Sequence, residues 1–61
     1  MPIIRIEMFP GRNKEQKARL AEAITKAMVE IGNAPRDHTW IMFHEEPKDN
    51  WAMGGKLASE T

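Results

Sequence analysis

A proline in second position, Pro2, stands directly behind Met1. Initiator methionine is usually trimmed before a small residue, and the mature chain then begins with a proline secondary amine. Inside a chain the proline nitrogen is an amide without a proton, so only a chain start gives it a basic nitrogen. There it is a rigid base that can also act as a nucleophile. Pro2 runs straight into the strand-like Ile3-Ile4-Arg5-Ile6. The amine would thus be held on an ordered element, whereas many chain starts merely fray.

Arg12 follows Pro10-Gly11 at the head of a helical pattern. A guanidinium there can grip a carboxylate with two prongs, and helix N-terminal amides also favour anions. A cation at that end opposes the helix dipole slightly, so helix stability does not explain it. The alternative is a solvated arginine beside a turn. Trp51 lies beside a turn and near glycines. It can wall an apolar pocket around a base, anchor a subunit contact, or do both. Trp40, in mid-strand, reads as core or interface. Histidine is the side-chain type that can change charge near neutral pH, and in a regular strand His38 and His44 would share a face with Trp40 and Met42. Both read as structural. Glu45-Glu46 point to opposite faces of a strand, so a solvated strand end fits better than an acid–base pair. Gly54-Gly55 lacks the lysine and hydroxyl residue of a phosphate loop.

The elements that must position these residues read as strand, helix, strand. In Ile3 to Phe9, Ile4, Ile6 and Met8 share one face while Arg5 and Glu7 take the other. Pro10-Gly11 breaks the strand. Asn13 with Gln16 forms a capping box. Leu20, Ile24, Ala27, Met28 and Ile31 repeat on a helical period as one apolar stripe. Gly32-Asn33 ends the helix and Pro35 blocks its return. A second strand from about Thr39 to His44 holds four contiguous apolar residues, which suits cover on both faces. After a turn at Asp49-Asn50, Trp51-Ala52-Met53 reads as a hairpin arm or an oligomer contact, and the tail from Lys56 to Thr61 as docked or frayed. The fold class is α/β: a small βαβ unit with parallel strands, a right-handed crossover and a short C-terminal hairpin.

The chain has 61 residues, enough for one domain, 1–61, and too few to bury a large core. Domains this small use disulfides, a metal or oligomerisation. With no cysteine and only two histidines, the first two are poorly served. Five Met and two Trp are more than one small core can hide, so some belong in subunit contacts. Two strands and one helix are also too little to be stable alone. Pairing with a second copy gives a four-stranded sheet carrying two helices. Nine basic and nine acidic residues balance, against the basic excess of a nucleic-acid binder. No apolar run approaches a membrane span, and the start lacks the pattern of a signal peptide. The expectation is a soluble cytoplasmic protein, without nucleic-acid or membrane partners.

Taken together, the chain resembles the 4-oxalocrotonate tautomerase family, within the tautomerase superfamily. The resemblance rests on Pro2 after Met1, Gly11-Arg12 followed by Glu15-Gln16-Lys17, Ala34-Pro35 after the helix, and Gly54-Gly55 with Leu57-Ala58-Ser59. It covers essentially the whole chain. It implies a proline general base that turns an enol acid into its keto isomer, no metal or organic cofactor, and hexamers built as trimers of dimers. It implies that Arg12 binds a substrate carboxylate and that Trp51 takes the place of a pocket phenylalanine. The family's second active-site arginine falls at Trp40, a neutral single donor. Losing such a cation typically costs about 10²–10³ in rate. Arg36, His38 and Arg5 are the candidates to replace it. Trp40 then points to a substrate with one carboxylate and a more apolar body. Two other readings stay open. One is hydration or dehalogenation of unsaturated acids by the same proline. The other is a non-catalytic subunit of an oligomer.

Overall fold

The computed structural model describes residues 1–60. Strand β1, Ile3–Met8, leads through Pro10-Gly11 into helix α1, Lys14–Glu30, and the chain returns in strand β2, Trp40–Glu45. The strands pair in parallel, with Ile3 opposite Trp40 and Met8 opposite Glu45. Strands β3, Ala52–Met53, and β4, Lys56–Leu57, form a separate antiparallel hairpin. Gly54 and Gly55 both have positive φ, 60° and 86°, as a two-residue turn between twisted strands requires. Thr61, part of the expected tail, lies outside the described residues.

The helix starts where its cap chemistry says. The Asn13 side chain accepts from the Gln16 backbone N–H at 2.8 Å, and the Gln16 side chain accepts from the Asn13 N–H at 2.9 Å. It ends at Gly32-Asn33 as expected, and within that pair Asn33 takes the left-handed conformation, at φ 54°. The Ala34 N–H then returns to the Met28 carbonyl at 3.1 Å.

Alternation along both strands matches the expected faces. Ile4, Ile6 and Met8 of β1, with Ile41, Phe43 and Glu45 of β2, form the less exposed face. The helix lies on that side, where Lys17 makes an ion pair with Glu45. Two expectations need correction. The expected cover on both faces of β2 is not supplied by this chain, because Trp40 and Met42 remain 53% and 48% exposed on the outward face. The apolar stripe of α1 is also split. Ile24 and Met28 turn inward with Lys17, Ala21 and Thr25, while Leu20, Ala27 and Ile31 stay exposed. One helix face packs on the sheet, and a second apolar edge is left for another surface.

This leaves a thin molecule. No described hydrophobic side chain is fully buried. The radius of gyration is 14.5 Å, against about 10 Å for a compact chain of this length. Its accessible surface is 4951 Å², roughly 900 Å² above that of a compact monomer of this mass. That excess matches the roughly 800 Å² each partner gives up in a standard interface.

Candidate active site

The four candidate residues fall into two pairs at opposite ends of the sheet. At the start of β1, the Pro2 carbonyl accepts the Trp40 backbone N–H at 3.0 Å. The parallel register, with Ile3 opposite Trp40, makes these two neighbours. Pro2 is half-buried, and the Trp40 side chain stands on the outward face.

Arg12 and Trp51 meet past the other end. Gly11, at φ 139°, turns the chain from β1 into α1, a conformation that favours glycine. Arg12 therefore projects beside Phe9, whose carbonyl accepts from its guanidinium over a long 3.4 Å. Arg12 makes no ion pair among the described residues and is exposed. Trp51 packs edge-on to Phe9, with ring centroids 5.3 Å apart at 79°. Its indole N–H donates to the Glu46 carbonyl at 3.2 Å, and the Trp51 carbonyl accepts from the Ala58 N–H at 2.8 Å. Lys48 Nζ lies 5.5 Å from the Phe9 ring centroid. Glu7, Met8, Phe9, Arg12 and Trp51 line an open niche. The lining combines a cation and two aromatic rings, which suit an anionic group with an apolar neighbour, with one carboxylate, Glu7.

Pro2 and Arg12 do not meet within one chain. The strand between Pro2 and Phe9 is extended, and at about 3.3 Å per residue it holds the two ends roughly 20 Å apart. That exceeds the reach of an arginine side chain. A site that uses both must draw them from different copies.

Of the three candidates to replace a cation at Trp40, Arg36 is engaged. Its guanidinium holds both carboxylate oxygens of Glu22. This contact, first through hydrogen bonding and then through charge, keeps the Glu22 carboxyl below its ordinary value and Arg36 above its own. His38 sits in a short 3₁₀ turn, Arg36–His38, rather than in β2. It therefore does not share the strand face of Trp40, Met42 and His44. Arg5 is on the outward face, opposite Met42, and makes no ion pair among the described residues. The strand-end carboxylates are less solvated than expected. Glu45 and Glu46 are half-buried, the first held by Lys17 and the second accepting from Asn50 Nδ2 at 2.8 Å. Sequence reasoning missed Phe9, which lines the niche, and Glu46, whose carbonyl holds Trp51. Phe9 stood at the end of an alternating strand, but nothing local pairs it with Trp51. Among the described residues no group of acidic, histidine or cysteine side chains is arranged to hold a metal, and no helix is long and apolar enough to cross a membrane.

Residues 2–60 match the sequence pattern of the tautomerase enzyme family. The chain is 40% identical to the 2-hydroxymuconate tautomerase of Comamonas testosteroni over 98% of its length and 95% of that protein. It superposes on YwhB, a homologue of 4-oxalocrotonate tautomerase, with a TM-score of 0.92, 33% identity and 98% coverage of each chain. A heterohexamer 4-oxalocrotonate tautomerase from Chloroflexus aurantiacus J-10-fl gives 0.87 and 35%, covering 98% of this chain and 97% of that one. With the fold and the length of the relatives matched almost end to end, the chain belongs to the 4-oxalocrotonate tautomerase family and is an isomerase of that kind.

Proposed function

We propose that the protein is a cofactor-independent keto–enol tautomerase of enol acids, with the amine of Pro2 as general base once Met1 is removed. Pro2 takes the proton of a 2-hydroxy-dienoate or related enol hydroxyl and returns a proton to carbon. Arg12 of another copy binds the substrate carboxylate, and Trp51 lines the apolar wall beside it. An apolar wall and a nearby cation both disfavour a protonated amine, which keeps the base in its working form near neutral pH. Trp40, next to Pro2, faces the rest of the substrate. The enol acid is 2-hydroxymuconate or a relative with one carboxylate and a bulkier apolar body, and the Trp40 indole favours the latter.

The observation that supports this most is the state of Arg12: an exposed guanidinium without an acidic partner, beside two aromatic rings. The function also needs an assembly, because Pro2 and Arg12 lie too far apart in one chain. We propose a homohexamer built as a trimer of dimers, formed by the single domain 1–61 in the cytoplasm. The test follows ketonisation of 2-hydroxymuconate and of phenylenolpyruvate by ultraviolet absorbance, with the Pro2→Ala variant as control. Turnover that depends on Pro2 is expected, with the monoacid favoured. Equal rates for the wild type and Pro2→Ala would exclude the proline mechanism.

A further inference from the structure

We propose that His44 is a proton-dependent positioning residue for the Arg12–Trp51 niche; this rests on reading that niche as the carboxylate end of the site. His44 stands on the outward face of β2, directly opposite Glu7 of β1. Its Nδ1 is 3.6 Å from a Glu7 carboxylate oxygen, and its Nε2 is 3.7 Å from a Glu46 carboxylate oxygen. A neutral imidazole donates from one nitrogen and presents a lone pair on the other. One of the two carboxylates would then face a lone pair and be repelled. Only the imidazolium attracts both. The two distances lie just outside hydrogen-bond range, so a small movement closes the clamp.

Both residues are tied to the niche, Glu7 by its side chain and Glu46 by its backbone. Glu7 lines it together with Arg12 and Trp51. Glu46 holds Trp51 through its carbonyl, holds Asn50 through its carboxylate, and ties its own N–H to the Met8 carbonyl at 3.1 Å. A protonated His44 therefore does two things. It offsets the charge of Glu7 where an anionic substrate arrives, and it draws the base of the Trp51 loop towards β1. A neutral His44 leaves the Glu7 carboxylate uncompensated beside the anion site. No other ion pair reaches His44 among the described residues. Arg5 shares its outward face without an acidic partner. Lys17 lies on the opposite face, held by Glu45, and Lys48 stands over the Phe9 ring.

The sign separates this effect from the proline. Raising the pH deprotonates the base and speeds the chemical step. The same change removes the His44 charge and weakens anion binding, so it raises KM.

Two readouts test the proposal on the intact assembly, from about pH 5 to 8, where histidine changes charge. The first is the ¹⁵N resonance of the Trp51 indole N–H, assigned with Trp40→Phe. It is expected to titrate in the wild type and to stay flat in His44→Gln, which retains His38 as an internal control. The second is KM for phenylenolpyruvate. It is expected to rise with pH by up to about fivefold, the range of an exposed ion pair, and to lose that slope in His44→Gln and in Glu7→Gln. A Trp51 resonance without an inflection in the wild type, or one whose inflection survives in His44→Gln, overturns the proposal. If no enol turns over, the proposed function fails instead, and the indole resonance still decides the role of His44.

Discussion

At the residue scale, the account turns on Arg12 and Trp40. A guanidinium that meets a substrate carboxylate gains charge-assisted hydrogen bonds, and removing such a group costs about 1.5–3 kcal/mol. Arg12→Ala should therefore raise KM for an enol acid by about 10- to 100-fold while the chain stays folded, since Arg12 is exposed. Steady-state kinetics beside a circular dichroism spectrum checks both halves. At Trp40 the prediction runs the other way. Trp40→Arg restores a cation beside Pro2 and should raise turnover of 2-hydroxymuconate relative to phenylenolpyruvate by about tenfold or more. An unchanged ratio would mean that Trp40 does not face the substrate.

These residues were legible in the sequence to different degrees. Pro2, Arg12 and Trp51 each carry a local reason to be noticed. Phe9 and Glu46 do not, because Phe9 acts through a ring contact with a distant segment and Glu46 through its backbone carbonyl, which no side-chain type announces. Single-residue chemistry also could not show that Pro2 and Arg12 sit at opposite ends of β1. That follows only once the strand is known to run straight through from one to the other.

At the element scale, helix α1 is held by its end caps as well as by the face it packs on the sheet. The Asn13–Gln16 capping box satisfies two backbone donors. Asn13→Ala should lower stability by about 1 kcal/mol, read as a shift in thermal midpoint at fixed protein concentration. The Arg36–Glu22 pair ties the middle of α1 to the turn before Trp40. Because Arg36 lowers the Glu22 carboxyl below its ordinary value of 4.5, its contribution is complete above that value. It is lost as pH falls through the lowered one. Both groups are exposed and screened by salt, so the effect is small. Glu22→Gln should flatten the midpoint against pH in the acid range and leave it nearly unchanged near neutrality. Boundaries of strands and helix were readable because caps, prolines and alternation act locally. The split of the α1 stripe was not. The periodicity of Leu20, Ile24, Ala27, Met28 and Ile31 marks an apolar face, but not which part of it meets the sheet of the same chain.

At the scale of the whole molecule, the excess surface and the open outward face of the sheet point to the same need. Trp40 and Met42 on the sheet, with Leu20 and Ile31 on the helix, expose apolar area that a single copy does not cover. A charge placed there should weaken assembly. Ile31→Glu and Met42→Glu are expected to shift the mass in analytical ultracentrifugation towards smaller species, and activity should fall with the loss of the assembly. An assembly that keeps its mass in both variants would place the contacts elsewhere. The small size and the lack of cysteine point to the same need from composition alone.

The proposed site is shared between copies, with Pro2 from one and Arg12 from another. Mixing tests it most directly. Pro2→Ala and Arg12→Ala proteins are unfolded together, refolded together and assayed for enol ketonisation at substrate far below the raised KM of Arg12→Ala, where each alone is nearly inactive, while native mass spectrometry confirms mixed oligomers. The account predicts recovered activity, because some mixed sites combine an intact Pro2 with an intact Arg12. Mixed oligomers no more active than either variant alone would contradict it.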